Sequence, residues 1–412
     1  MTVLIAGGGI GGLALALRLH AEGIAARVFE QAASVRELGV GINILPHAIA
    51  RLADLGLLPA LDTAGIRTHE LIYMTGRGQE ILRQPRGMDA GYAVPQFSIH
   101  RGKLQALLHR AVLERLGPDA VTTDRRLIGF EQDDAGVTAA FADAGGATLF
   151  VRGDVLVGAD GIHSVVRRRL FPDEGPPRWN GVALWRGATW GPTFLTGRSM
   201  IIAGGMAAKF VLYPIFADPG RPGEALTNWA VAAKIGADGD PAPHKDDWSR
   251  RGTHAEVLAH VEGRLTTPVL DPAALIRATS DVWVYPMCDR DPLPRWSCGR
   301  VTLLGDAAHP MYPVGSNGAS QAILDAEALA KALAAHGPAG LAAYEAERLP
   351  ATAEIVRLNR SGGPERVIDL VEARAPQGFD DLDAVATRAE LEAIVGAYQR
   401  TAGFATEQVN RR

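Results

Sequence analysis

The tightest constraint on this chain is its first turn. Gly7-Gly8-Gly9-Ile10-Gly11-Gly12 fits G-x-G-x-x-G through Gly7, Gly9 and Gly12, directly after the apolar run Val3 to Ala6 and before the helix-like stretch Leu13 to Ala21. Strand, tight turn and helix in that order start a Rossmann-like α/β layer, in which backbone N–H groups and a helix N-terminus can approach a pyrophosphate with no Cβ in the way. Glu30 closes the next apolar run, Ala26 to Phe29, where an acceptor for ribose hydroxyls is expected. An acid there favours a free ribose over a 2′-phosphate. A Gly-rich turn can also serve only to pack a helix on a sheet, but the strand, helix and acid around this one favour dinucleotide binding.

The fingerprint does not separate FAD from NAD, and later segments bear on that choice. Ala159-Asp160-Gly161-Ile162-His163-Ser164 follows a strand-like run, and Arg300 to Asp306 reads as a short apolar strand ending in Gly305 and a carboxylate, continuing Ala307-Ala308-His309. Pro313-Val314-Gly315-Ser316-Asn317-Gly318-Ala319 then leads into an apolar helix pattern from Gln321 to Leu333. A strand-end carboxylate can accept from a ribitol or ribose hydroxyl, and a Gly-rich loop can bring backbone amides to a flat ring. That arrangement suits FAD. Alone, Asp306 would read first as an ordinary N-cap; the upstream fingerprint shifts the reading to a cofactor ligand.

These segments, in this order, resemble the single-component flavoprotein aromatic hydroxylases, whose prototype is para-hydroxybenzoate hydroxylase, over nearly the whole chain. More narrowly, Leu38 to Ile44, Ser98 to Gly102, Trp185-Arg186-Gly187, Tyr285-Pro286-Met287 and Met311-Tyr312-Pro313 resemble the bacterial phenazine hydroxylases of pyocyanin biosynthesis. The resemblance implies noncovalent FAD, NADH or NADPH as transient reductant, and O2 used through a flavin C4a-hydroperoxide to hydroxylate an electron-rich aromatic or N-heteroaromatic. It puts Arg36 and Arg101 at FAD, where guanidiniums can offer parallel donors to phosphate oxygens. It assigns Asp160 and Gly161, with Ser164 and Arg167, to the D-G-x-x-S-x-x-R segment that serves both FAD and the nicotinamide cofactor, Arg167 adding a cation for phosphate. Pro313, Gly315, Asn317 and Gly318, followed by Ala319, become the flavin-ring loop, with Asn317 where related chains often read Gly-x-Gly.

Composition agrees with a small-molecule enzyme. The chain has 412 residues, 47% of them apolar, and a net charge of −4. That balance argues against a nucleic-acid or anionic-membrane partner. Cys288 and Cys298 are too far apart for a C-x-x-C pair, and the N-terminus lacks a basic signal region, so a cytoplasmic protein with no membrane span is expected. His163 and His309 lack metal-ligand company, and no metal is expected. Oligomeric state is left open between monomer and homodimer.

The expected organisation is an FAD-binding domain in three parts (1–74, 101–171 and 288–345), with substrate-sheet strands in 75–100, an inserted β-sheet substrate domain over 172–287, and a helical C-terminal region over 346–412. Short alternating strands with Pro and Gly turns mark the substrate sheet. Leu382, Val385, Leu391, Ile394, Val395 and Tyr398 form a stripe near helical spacing that reads as core or subunit contact.

Trp185, Tyr213, Trp229, Trp283 and Tyr285 could stack on a planar substrate, and Arg186 and Lys209 could meet a carboxylate. Strand register is needed to say which of them face the flavin. Baeyer–Villiger oxidation or epoxidation is the alternative chemistry, and a non-catalytic flavin-binding redox protein the alternative class. A flavin halogenase would carry Trp-x-Trp-x-Ile-Pro, where this chain has Val282-Trp283-Val284-Tyr285-Pro286, and a disulfide reductase would need a close cysteine pair.

Overall fold

The computed structural model describes residues 1–34, 40–205, 207–244 and 250–411. Its N-terminal layer is a five-stranded parallel sheet in the order Val301–Leu303, Val155–Gly158, Thr2–Ala6, Ala25–Phe29, Val121–Thr122. The central strands are buried on both faces, as parallel sheets require. The fingerprint helix Ile10–Ala21 packs against Arg101–Leu116 and against the long helix Gly318–His336. A three-stranded antiparallel sheet of Arg126–Asp133, Gly136–Ala142 and Thr148–Gly153 flanks this layer. Between the strands Val121–Thr122 and Arg126–Asp133 the chain changes direction, with Asp124 at φ 53° in the turn.

The second layer is a seven-stranded sheet in the order Trp283–Asp289, Arg178–Pro192, Glu224–Lys234, Ala208–Phe216, Ser199–Ala203, Glu70–Met74, Glu80–Pro85. It is antiparallel except where Ser199–Ala203 runs parallel to Glu70–Met74. Two boundaries differ from expectation. Glu70–Met74 already belongs to this sheet, ahead of residue 75, whereas Phe97–His100 does not; it pairs instead with Gly41–Ile44 and Gly65–Arg67.

Alternation decides what each face of the large sheet does, because successive strand residues point to opposite sides. Ala183, Trp185, Phe210, Leu212, Trp229 and Val231 pack outward beneath helices His254–Val261 and Pro272–Arg277. Leu184, Arg186, Val211, Tyr213, Ala230 and Ala232 point to the other side, toward the parallel layer. The C-terminal helices Arg366–Arg374 and Arg388–Thr401 pack against one end of that inner face through Val367, Ile368, Val371, Leu391 and Val395. Among the described residues no helix is long and apolar enough to cross a membrane.

Candidate active site

One cavity runs from the fingerprint turn to the inner face of the large sheet. Gly9 and Arg101 line it at one end, Gly305 and Asp306 in the middle, and the loop Pro313 to Ala319 with Arg186 and Tyr213 at the other. Its volume of about 330 Å³ falls in the range of small-molecule sites.

The three fingerprint glycines divide their work. A Cβ on Gly7, which has φ +113°, would lie 2.2 Å from the Ala159 carbonyl oxygen, and one on Gly12 would lie 2.1 Å from that of Gly7. Both are needed for packing. A Cβ on Gly9 would meet nothing within 4 Å, so the space it leaves belongs to the cavity. Gly11, outside the fingerprint positions, lets the fingerprint helix lie close to Leu304 and Ala322.

Glu30 does not simply await a ribose. One carboxylate oxygen accepts from the Gly8 amide at 2.7 Å and the other from the Ala32 amide at 2.8 Å, so the side chain ties the turn to the second strand. Gln105 adds a second tie, donating to the Gly8 carbonyl at 2.8 Å. Arg101 opens the helix Arg101–Leu116; burial depresses its pKa, while Asp306 and Glu30 favour its charged form and Arg186 opposes it. Arg36 lies outside the described residues.

Asp160 accepts from the Ser164 hydroxyl at 2.5 Å and the Val165 amide at 2.7 Å, holding the start of the short helix Val165–Leu170. Burial nevertheless raises its pKa, against these hydrogen bonds. Gly161 reaches the cavity wall and Asp160 does not. Arg167 corrects an expectation. It is 1% exposed and donates to the carbonyls of Ala307, Ala308 and Asp291 and to Glu174, so it staples two loops together and is not a cation for phosphate.

Asp306 stands open into the cavity, with its pKa raised by its protein surroundings and by Asp325, and lowered by His309 and Arg101. The turn beneath it is fixed by Asp325, which is fully buried, accepts from the Gly305 amide at 3.1 Å and Arg348 at 2.8 Å, and lies 2.6 Å from His309 Nε2. Burial works to raise the pKa of Asp325, but His309 and Arg348 bring it below the usual carboxylate range.

The loop Pro313 to Ala319, expected to face a flavin ring, is held from the C-terminal region, which sequence reasoning missed. Gly315 (φ +66°) lies under the ring of Tyr398, where a Cβ would come within 2.5 Å of the phenol oxygen. Asn317 donates to that oxygen at 2.9 Å, and the phenol donates to Asn359 Oδ1 at 2.7 Å. The Gly315 amide donates to Glu365 at 3.3 Å, and Glu365 pairs with Lys209 on the sheet. Pro313, Asn317, Gly318 and Ala319 line the main cavity, while Gly315 faces a smaller neighbouring one. The only sequence signal was Tyr398 itself, a phenol on an otherwise apolar stripe that needed a partner once buried.

The substrate-side expectations separate by register. Arg186 and Tyr213 face the cavity. Trp185, one residue from Arg186, points to the opposite face and packs against His260, ring centroids 5.1 Å apart and planes tilted by 31°, so it cannot touch a ligand here. Tyr285 is buried behind Arg186, which donates to its hydroxyl at 3.0 Å. Arg186 also donates to the Gly41 carbonyl, which accepts from Tyr213 at 2.9 Å. Burial pushes the Tyr213 phenol up to about 12, so it stays neutral at physiological pH.

Comparison with known proteins gives the chain's family and its relatives. Residues 1–359 match the family model described as FAD binding domain. The chain is 45% identical over 364 residues to the phenazine 1,6-dicarboxylic acid hydroxylase PhzS of Lysobacter antibioticus, covering 87% of this chain and 89% of that one. It is 35% identical to the 3-amino-4-hydroxybenzoate 2-monooxygenase PtnB3 of Streptomyces platensis, covering 88% of each. Among solved structures, a salicylate hydroxylase substrate complex superposes with a TM-score of 0.72 at 23% identity over 98% of both chains.

Proposed function

The chain belongs to the FAD-binding-domain family and is an FAD-dependent aromatic hydroxylase, and from that premise we infer that its substrate is a planar aromatic or N-heteroaromatic acid, phenazine- or hydroxybenzoate-like, held by its carboxylate at Arg186. One observation carries the substrate reading. Three cations face the cavity: Lys209 is paired with Glu365, Arg101 feels the charge of Asp306, and Arg186 meets only carbonyl and phenol oxygens. Among the described residues no carboxylate stands within ion-pair distance of Arg186, and its Nε is buried without a partner. A buried guanidinium without an anion is costly, and a ligand carboxylate supplies that anion with bidentate geometry.

The residues present fit FAD. The open space beside Gly9 admits a pyrophosphate at the start of the fingerprint helix, with Arg101 on the same wall and Asp306 an acceptor for a cofactor hydroxyl. Gly318 and Ala319 open the 19-residue helix Gly318–His336, whose positive end faces the ring position. Bound FAD, reduced by NAD(P)H, supplies the activation of O2. Around it, Leu184, Met200, Ile202 and Val211 form an apolar wall that keeps water from the reacting ring. On this reading the parallel layer is the FAD-binding domain, the large sheet carries the substrate, and the C-terminal helices hold the ring loop.

The test is stopped-flow reduction of the FAD-loaded enzyme by NADH and by NADPH, with a panel of phenols, hydroxybenzoates, phenazine carboxylates and their uncharged analogues, followed by product analysis. Faster reduction and a hydroxylated product with a carboxylated aromatic, lost with its uncharged analogue and in Arg186→Gln, is expected. Equal response to the uncharged analogue would remove Arg186 from substrate binding.

A further inference from the structure

We propose that the buried Glu365–Lys209 pair is a charge filter that admits aromatic monoacids and rejects aromatic diacids. The proposal rests on the reading of Arg186 as carboxylate anchor. Lys209 and Arg186 point into the same cavity from strands separated by Glu224–Lys234. Arg186 is level with Ala230 and Lys209 with Ala232. At about 4.8 Å per strand and 3.4 Å per residue, their backbones are about 12 Å apart. With side chains converging on the cavity, that separation suits acids at opposite ends of a fused-ring system. A dicarboxylate could thus reach both cations, and the relative at 45% identity is named for one.

Glu365 changes that outcome. It enters from the turn Gly363–Glu365 of the C-terminal region, is 5% exposed, lines the cavity and occupies the Lys209 ammonium, itself 8% exposed. The second cation is therefore neutralised from within the protein, while the first is not. A ligand carboxylate approaching Lys209 would sit beside the Glu365 carboxylate in a dry site, and such like-charge contact is an effective way to exclude a wrong ligand. Glu365 cannot easily swing aside, because it also accepts the Gly315 amide of the ring loop. A bound diacid would have to disturb the loop that positions the flavin.

The experiment measures affinities of phenazine-1-carboxylate and phenazine-1,6-dicarboxylate for the FAD-loaded enzyme, by perturbation of the flavin absorbance, and the reduction rate with each. The wild type should prefer the monoacid by about tenfold or more. In Glu365→Gln, which keeps an acceptor for Gly315, that ratio should collapse or reverse through tighter binding of the diacid. In Lys209→Met the preference should persist, because the excluding carboxylate remains; a pair with only a structural role would change the ratio alike in both variants. A wild type that takes both acids equally, or a ratio unmoved in Glu365→Gln, would overturn the filter while leaving the Arg186 reading intact. Failure of both acids alongside response to uncharged aromatics would overturn both.

Discussion

Single side chains in this cavity carry charges or voids that the folded protein alone does not need. Gly9 is the clearest void: alanine fits its φ of −73° and its surroundings. Gly9→Ala should therefore leave the melting temperature of the FAD-free protein unchanged while weakening FAD. Gly12→Ala, which drives a Cβ into a backbone oxygen, should lower the melting temperature itself. Equal FAD affinity in Gly9→Ala, measured by equilibrium dialysis, would move the pyrophosphate elsewhere. Asp306 gives the opposite case. Although it opens into the cavity, the protein walls around it raise its folded pKa, so above that pKa its charge costs a modest, solvent-screened amount of stability, and the cost disappears as pH falls and the group is protonated. Asp306→Asn should raise the FAD-free melting temperature at pH 7, with the gain fading toward pH 4. If the carboxylate binds a cofactor hydroxyl, FAD affinity should fall roughly 5- to 150-fold, corresponding to about 1–3 kcal/mol for a lost charged acceptor. Stabilisation paired with weaker FAD would mark a group retained for function.

At the scale of elements, legibility in the sequence followed locality. The strand, turn and helix of residues 2–21 could be read because every signal lies within a few residues, and the strand Val301–Leu303 that leads to the Asp306 turn could be read for the same reason. The inner face of the large sheet could not. Trp185 and Arg186 are neighbours with equal claim on a substrate until pairing with Val231 and Ala230 fixes which of them turns inward. The hold on the ring loop was equally hidden, since Asn317, Asn359 and Tyr398 come together only through the packing of three helical segments. Tyr398→Phe tests that hold. It removes one hydroxyl and leaves the amide groups of Asn317 and Asn359 short of a partner in a buried site, at a cost of about 1–3 kcal/mol. The expected result is a lower melting temperature with FAD still bound and a larger share of NAD(P)H oxidation ending as free H2O2. Unchanged coupling of NAD(P)H oxidation to product would reduce Tyr398 to packing.

Over the whole molecule, the candidate cavity is a seam. The parallel layer lines one end, the large sheet the other, and the C-terminal helices brace the loop Pro313 to Ala319, although the family match ends at residue 359. Bracing from outside the cavity means that a distant packing defect should reach the chemistry. Leu391 is fully buried on the helix Arg388–Thr401, two turns before Tyr398, and does not line the cavity. Leu391→Ala should cost about 2–5 kcal/mol through the void it leaves, and the looser helix should also raise the H2O2 fraction. Ile276 is equally buried, beneath the outer face of the large sheet and away from the ring loop. Ile276→Ala should lower the melting temperature by a similar amount and leave coupling near wild type. The comparison is made at a temperature where both variants are fully folded and FAD-saturated, so that stability loss alone cannot explain a difference. Equal uncoupling in the two would mean that the seam responds to general loosening, and the C-terminal helices would lose their particular link to the flavin ring.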